Sequence, residues 1–546
     1  MSSTPGPDVS VVVPTYNRAG LLRHTLDSLT RQTLPAGRFE VLVVDDGSTD
    51  DTARLVTEYE DRLALRYFAH PDEGYRVARA RNTGIANARG GICVLVDSGV
   101  LLHSGALRAH LDSHAASDRP VAVCGYVFCF NEDNEDGAEI ERAIDYADPD
   151  AFMAGLRREG RWLDIREEFY DKYGEDFASL PAPWLVWWTC NVSARTEQLR
   201  SVGLFDDAYR AWGAEDVDLS YRLHRDGAVF VMNRDACAVH VPHSKSYTEN
   251  MRSVAANYRY LASKYGTPIT SLVDGNHFFA INDIIRDRGL PGCAEHLAAE
   301  RADADGPDGP PRRVLVFSPH QDDEVIACGG TIARRAAEGA RVQIVFSTDG
   351  SRSHQAVLGI DSDPTPEELA GIRQKEAEAA ARALGLGEDG VQFLGFTDTA
   401  LAEALPEFRA RVRAVLEAHR DVEEVFLPHD VRELNADHRL TGEVVLDCLK
   451  ELGLTPRLRK FVVWDEQTEA EFGFTNRNEP GRSVPGGGER LLSLDIREHL
   501  ETKRAALAEH RTQVTLYCPA QDRPVVPDVF AARVRAREVE QFWVPA

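Results

Sequence analysis

The chain repeats one pattern in two places. A short run of consecutive apolar residues is followed by a segment with helical spacing. In the first half the apolar runs fall at residues 9–15, 39–44, 63–68 and 92–96, and helical spacing falls at 21–29, 52–59 and 78–88. Apolar runs without alternation are what strands buried on both faces of a parallel sheet require. Their alternation with helices predicts right-handed crossover units. Further along, apolar runs recur at 314–317, 342–346, 391–394, 425–427 and 461–464, with helical spacing between them, notably at 366–384. Between the halves, 228–232 reads as a strand, 247–265 as an amphipathic helix and 291–299 as a short helix. The stretch 302–311, ADADGPDGPP, reads as a flexible linker, because Pro and Gly punctuate it and its acids solvate it. The fold expected is α/β throughout. One domain covers 1–300 with a helical extension from about 247, a linker covers 301–312, and a second domain covers 313–546.

Length and composition narrow the function. At 546 residues the chain exceeds one ordinary core. With 88 acidic against 62 basic residues the formal charge is −26, which argues against nucleic acid or an acidic membrane as partner. Nine cysteines without a C-x-x-C pair suggest reduced thiols and a cytoplasmic protein. The opening MSSTPGPD has no charged-then-apolar signal, and no apolar run approaches a membrane span, so no membrane span is expected. Without a secretory signal, the sequon at Asn191 carries no weight. Residues 131–136 read as an acidic loop and 485–488 as a flexible one.

Candidate chemistry sits at the ends of the apolar runs. Asp45 and Asp46 close the run at 39–44 and Asp97 closes that at 92–96, and strand C-terminal ends line the crevice where open α/β sheets bind nucleotides. No G-x-G-x-x-G follows the first run, which argues against a dinucleotide fingerprint. Glu215, Asp216 and Asp218 follow Gly213; they are either the acidic start of a helix or a catalytic cluster. His240 and His243 lie three apart beyond a strand, a spacing that suggests a metal. Trp184, Trp187 and Trp188 are either core or a sugar-stacking wall. In the second half, Ser318 to Glu324 (SPHQDDE) follows an apolar run and precedes Cys328-Gly329-Gly330. His320 and Asp323 suit a zinc ion, with Asp322 beside them as general base; the competing account is a helix N-cap. Asn435-Ala436-Asp437-His438 follows another strand and offers His438 as third ligand. Two histidines and a carboxylate leave positions open for water and substrate, and they suit iron(II) as well.

Two family resemblances follow from these motifs. PHQDDE, NADH and KRAALAEHRTQ (503–513) resemble the LmbE-like (PIG-L) N-acetylglucosaminyl deacetylases from about residue 312 onward. The resemblance implies His320, Asp323 and His438 as ligands of Zn2+ and Asp322 as base. Asn435 stands where that family usually has the histidine that stabilises the oxyanion; His429, nearby in sequence, is a candidate to take over its proton transfer. Arg373 and Glu376 resemble a family pair, or form a helix-surface salt bridge. VSVVVPTYNR (9–18), VVDDGSTDDT (43–52), GYRVARARNTG (74–84), CNVS (190–193) and WGAEDVDL (212–219) resemble family 2 glycosyltransferases of the GT-A fold, over about 8–250. Both are Rossmann-like α/β folds. This second resemblance implies a UDP-sugar donor held by Pro14, Thr15, Asp45 or Asp46, Arg76, Arg81 and Asn82. It implies Asp216 as base with Glu215 beside it, and Mn2+ or Mg2+ on Asp97, His240 and His243. Trp188 is a candidate for the sugar. The family's Asp-x-Asp is Asp97-Ser98-Gly99 here, so its last ligand is missing.

Together the resemblances imply a bifunctional enzyme that moves N-acetylglucosamine from UDP-GlcNAc to a small-molecule or glycan hydroxyl and then removes the acetyl group. The order rests on the linker as a tether and on the waste of deacetylating a common donor. The alternative is a deacetylase with a transferase-like sugar-binding module; a scaffold with two decayed sites is opposed by the complete ligand set.

Overall fold

The structure is a computed structural model that describes residues 6–130, 136–244, 246–307, 309–465, 468 and 488–546. It divides into two compact units, Met1–Leu261 with Leu272–Leu290, and Ala262–Ser271 with Pro291–Ala546.

The first unit is built on β1 (Val9–Thr15), β2 (Phe39–Asp45), β3 (Leu65–Ala69), β4 (Ile92–Val96), β5 (Val100–Leu102), β6 (Val121–Phe128), β7 (Asn191–Arg195) and β8 (Val229–His240). They form one sheet in the order β3-β2-β1-β4-β7-β6-β8-β5. The first four strands are parallel, and all seven residues of β1 and of β2 are buried, as uninterrupted apolar runs require. Helices α1 (Ala19–Leu29), α2 (Thr52–Thr57) and α3 (Val77–Asn87) are the crossovers. Beyond β4 the sheet turns mixed: β7 runs antiparallel to β4 and to β6, and β5 runs antiparallel to β8. Helix α4 (Glu215–Arg225) carries the WGAED acids, and α5 (Tyr247–Tyr265) spans the expected amphipathic segment. Trp184 and Trp187 are buried, so two of the three tryptophans are core.

The second unit holds β9 (Arg313–Ser318), β10 (Arg341–Thr348), β11 (Val391–Phe396), β12 (Glu424–Pro428), β13 (Arg457–Phe461), β14 (Glu489–Asp495) and β15 (Val539–Pro545), in the order β11-β10-β9-β12-β13-β15-β14. Along β9, Val314 and Val316 pack into one core cluster while Leu315 and Phe317 pack into another, so the strand is sandwiched. The fifth apolar run sits four residues earlier than expected, because Arg457 to Lys460 pair with β12 despite their charge. Arg459 is neutralised by Glu424, 3.0 Å away.

The linker expectation fails over its first half. Helix α6 (Cys293–Asp305) runs through residues 302–305, Ala304 is buried, and Asp305 lies 2.5 and 2.7 Å from Arg334 and Arg335. Alanines favour the helix, and the acids that seemed solvating are ion-paired. The acidic loop at 131–135 and the glycine loop at 485–487 lie outside the described residues. Among the described residues, no helix is long and apolar enough to cross a membrane.

Candidate functional site

The second unit brings three side chains from two strand ends to one point. His320 follows β9, Asp323 opens α7 (Asp323–Ala337), and His438 lies in the first turn of α9 (Ala436–Leu452), with α8 (Pro366–Ala383) between them in the chain. His320 Nδ1 is 3.2 Å from Asp323 Oδ2 and 3.1 Å from His438 Nε2, and His438 Nε2 is 3.0 Å from Asp323 Oδ2. Such a triangle of ligand atoms fits a cation. The remaining ring nitrogens face carboxylates: His320 Nε2 lies 3.1 Å from Asp398 and His438 Nδ1 lies 3.2 Å from Glu433. Carboxylates behind ligating histidines fix ring orientation and raise ligand basicity. Burial pulls the His438 imidazole down, yet Asp323 and Glu433 outweigh it and push it up to about 9. The same contest holds His320 well above its ordinary value. The field at this point calls for positive charge.

Asp322 lies beside the triangle with φ at 140°, a strained value for a residue with a side chain. It lines a cavity of about 110 Å³ with His320, Asp323, Asp398 and Asn435. Burial pushes its carboxyl up to about 7, against the pull of Arg373. Arg373 does not pair with Glu376. Its guanidinium is buried and reaches Gln321 O at 2.5 Å, Gly350 O at 3.1 Å and Asp322 Oδ1 at 3.2 Å, while Glu376 accepts from Thr512 N and Oγ1 at 2.9 and 2.6 Å. The helix-surface salt bridge therefore falls. Asn435 Oδ1 caps α9 by accepting from Asp437 N and His438 N, which leaves its amide N–H groups as donors toward the cavity. His429 is not among the cavity-lining residues; its ring lies 3.1 Å from Glu489.

Helix α7 breaks at Cys328, where φ is −141°. The freed groups are taken up by a buried pair 2.7 Å apart. Lys503, from α10 (Leu500–Glu509), donates to Ile326 O at 3.1 Å, and Glu540 accepts from Gly330 N at 2.8 Å and Thr331 N at 2.7 Å. A Cβ at Gly330 would stand 2.6 Å from Ile496, so the motif's second glycine is a packing requirement.

The first unit handles its acids differently. Arg81 is 4% exposed and lies 3.0 Å from Asp97 and 2.9 Å from Glu215. Asp97 is thereby tied to a guanidinium. His240 and His243 have ring centroids 5.1 Å apart, yet among the described residues they form no three-ligand group with Asp97. Gly99 sits at φ +99°, and a Cβ there would meet Leu21 at 3.4 Å, so the missing ligand belongs to a backbone that disfavours any side chain. The donor set for a second ion is therefore not assembled among the described residues.

Asp216 is left beside this pair. Burial, with Glu215 next to it, pushes its carboxyl up to about 7. Of the two adjacent acids at the end of β2, Asp45 is consumed by the turn that follows and by Tyr67, whereas Asp46 Oδ1 and Thr15 Oγ1 are buried without partners. Pro14 sits one residue before Thr15 in β1. Arg76 donates its backbone N–H to Asp46 at 2.9 Å and pairs through its side chain with Glu73. Asn82 is bound to the backbone of Phe205 and to Asp207, a role inside the chain. Trp188 is half-buried, with Arg166 5.5 Å over its ring. Tyr16, Tyr75 and Trp212 are 44%, 41% and 42% exposed and were not singled out from the sequence. Asp398 and Glu433 were missed as well; both follow recognised strands, which is the signal that could have found them.

Each unit thus gathers carboxylates, one set around a cation-shaped gap beyond strand ends and one, Asp97 after β4 and Glu215 at the start of α4, around an arginine. Residues 10–172 match the model of glycosyl transferase family 2, and residues 315–449 match that of the GlcNAc-PI de-N-acetylases. The chain joins a family 2 glycosyltransferase domain to a PIG-L deacetylase domain. It is 34% identical over 289 residues to the validoxylamine A glucosyltransferase of Streptomyces hygroscopicus subsp. jinggangensis (strain 5008), covering 53% of this chain and 66% of that protein. The poly(ribitol-phosphate) β-N-acetylglucosaminyltransferase TarS of Staphylococcus aureus (strain Mu50 / ATCC 700699) is 35% identical over 108 residues, 19% of each chain. Among solved structures, N,N'-diacetylchitobiose deacetylase from Pyrococcus horikoshii aligns at 25% identity with a TM-score of 0.29, over 40% of this chain and 76% of that one. The chain spans about two thirds of the length of the glucosyltransferase relatives, 66% and 62%.

Proposed function

We propose that the chain is a bifunctional enzyme that transfers N-acetylglucosamine from UDP-GlcNAc to a hydroxyl acceptor and then hydrolyses the N-acetyl group. The observation that carries this reading is the His320–Asp323–His438 triangle with Asp322 at its side in one cavity. A zinc ion held by these three would polarise the amide carbonyl and make water a better nucleophile. Asp322 takes the proton from that water and returns it to the nitrogen as the C–N bond breaks, so acetate and a free amine leave. Asn435 donates to the oxyanion as charge develops there. Asp398 and Glu433 keep the two imidazoles aligned.

In the transferase half, Asp216 takes the proton of the acceptor hydroxyl as it attacks the anomeric carbon with inversion, and UDP departs. Thr15 and Asp46, with unpartnered buried oxygens, suit the nucleotide base. Arg81 holds Glu215 and Asp97 and so fixes the floor under Asp216. The relatives are named for a glucosyl and an N-acetylglucosaminyl transfer. The N-acetylated donor is preferred because it gives the deacetylase half its substrate.

A second reading, a deacetylase whose first domain only binds sugar, is favoured by Gly99 and by the engagement of Asp97 with Arg81. One experiment separates the two. The chain is incubated with UDP-GlcNAc and an acceptor panel, with UDP release and product mass followed together. UDP release with a deacetylated glycoside supports the bifunctional reading. Acetate release from preformed glycosides without any UDP supports the second. UDP-glucosamine appearing without acceptor overturns the order.

A further inference from the structure

Six of the residues lining the deacetylase cavity are apolar: Ala356, Val357, Leu434, Trp464, Val525 and Val526. They come from four separate stretches of the chain and stand beside the metal-fitting triangle. The polar residues of the same cavity are largely committed to one another. Arg373 is spent on Gln321, Gly350 and Asp322, Ser353 accepts from Gln513 at 3.2 Å, and Asp398 faces His320. A pocket shaped only for a free amino sugar would need partners for several hydroxyls, and buried hydroxyls facing valine would go unpaired.

The wall is fixed. The Trp464 ring stacks on Phe530 with centroids 5.1 Å apart, and its backbone N–H donates to Glu433 Oε2 at 3.1 Å. The same carboxylate faces His438, so wall and ligand share a support. Val526 N donates to Gln513 O at 2.8 Å, which makes residues 515–525 a loop springing from the cavity wall. That loop carries Leu516, 61% exposed and the most exposed large apolar residue described.

We propose that the deacetylase half takes N-acetylglucosaminides that bear an apolar aglycone, which lies along this wall while the acetamide reaches the triangle. The proposal rests on the deacetylase reading. The apolar group is placed at the anomeric position because the attached transferase domain builds a glycosidic bond there; an apolar group on nitrogen would meet the same wall and is separated by experiment. The acceptor of the transferase half is then an apolar or aromatic alcohol rather than a growing polysaccharide.

The test uses the full chain loaded with zinc and four probes: free N-acetylglucosamine, N,N'-diacetylchitobiose, phenyl and octyl β-N-acetylglucosaminide. N-hexanoylglucosamine forms a separate arm. The expected result is a kcat/KM for the phenyl and octyl glycosides at least about tenfold above the two unadorned sugars. Val357→Ser and Val525→Ser should narrow that ratio while retaining zinc by elemental analysis. Equal kcat/KM across the four probes overturns the proposal, as does a preference for the N-hexanoyl probe with no response to the aglycone. Absence of acetate release from every probe by zinc-loaded chain overturns the deacetylase reading itself.

Discussion

Asp97 in the first unit, like Asp323, Asp398 and Glu433 in the second, lies beyond the C-terminal end of a parallel strand, while Glu215 opens α4, and the two units treat the charge in opposite ways. In the second unit Asp323, Asp398 and Glu433 surround two imidazoles whose ring nitrogens are 3.1 Å apart, an arrangement that costs free energy unless protons or a cation fill it. In the first unit a single guanidinium, Arg81, sits between Asp97 and Glu215 and supplies the counter-charge from within the chain. The same architecture thus yields one site built to receive a cation and another that carries its own. Metal dependence should therefore divide cleanly between the two proposed activities.

Removing the cation from the second unit gives the largest expected effect. His438→Ala should lose bound zinc and drop acetate release by on the order of 10⁴-fold, with UDP release unchanged. Unchanged zinc content by elemental analysis would break the ligand assignment. Asp216→Asn should cut transfer by about 10³-fold, within the range of general-base removal, and leave deacetylation of preformed glycoside intact. A loss below about tenfold would move the base elsewhere. Asp398→Asn should weaken zinc binding by about 10- to 100-fold through loss of His320 orientation, read by competition with a chelator.

Acidity sharpens the contrast further. The Asp216 carboxyl is pushed up to about 7, first by burial and then by Glu215, and a base works only when ionised. Transfer kcat/KM should be half-maximal near pH 7, level off about one unit above it, and fall about tenfold per unit below it. A flat profile between pH 5 and 7 would contradict this. Gly99→Asp is the smallest change. At φ +99° a side chain is strained, so the substitution should destabilise by about 1–2 kcal/mol and lower the melting temperature without adding manganese-dependent transfer. A gain of manganese stimulation would show that only the ligand was missing.

Much of the architecture was legible in order of sequence. The apolar runs became β1, β2, β4, β9, β10 and β12 within a residue or two, because a strand buried on both faces must be apolar throughout. The motif histidines and acids were legible because strand ends in α/β sheets face one crevice. What stayed hidden were pairings decided by register and crossover: Arg81 with Glu215, 134 positions away, Lys503 with Glu540, and Asp398 behind His320. Residues 302–305 were misread because Asp305 answers Arg334 and Arg335 on α7 and Asp303 answers Arg490 on β14, all beyond the segment itself. By itself the sequence determined which apolar runs are buried strands and which strand ends carry chemistry, since a strand's burial is written in local periodicity. Only the tertiary structure decided which charges meet, because an ion pair depends on where two distant elements cross and leaves no pattern in either one.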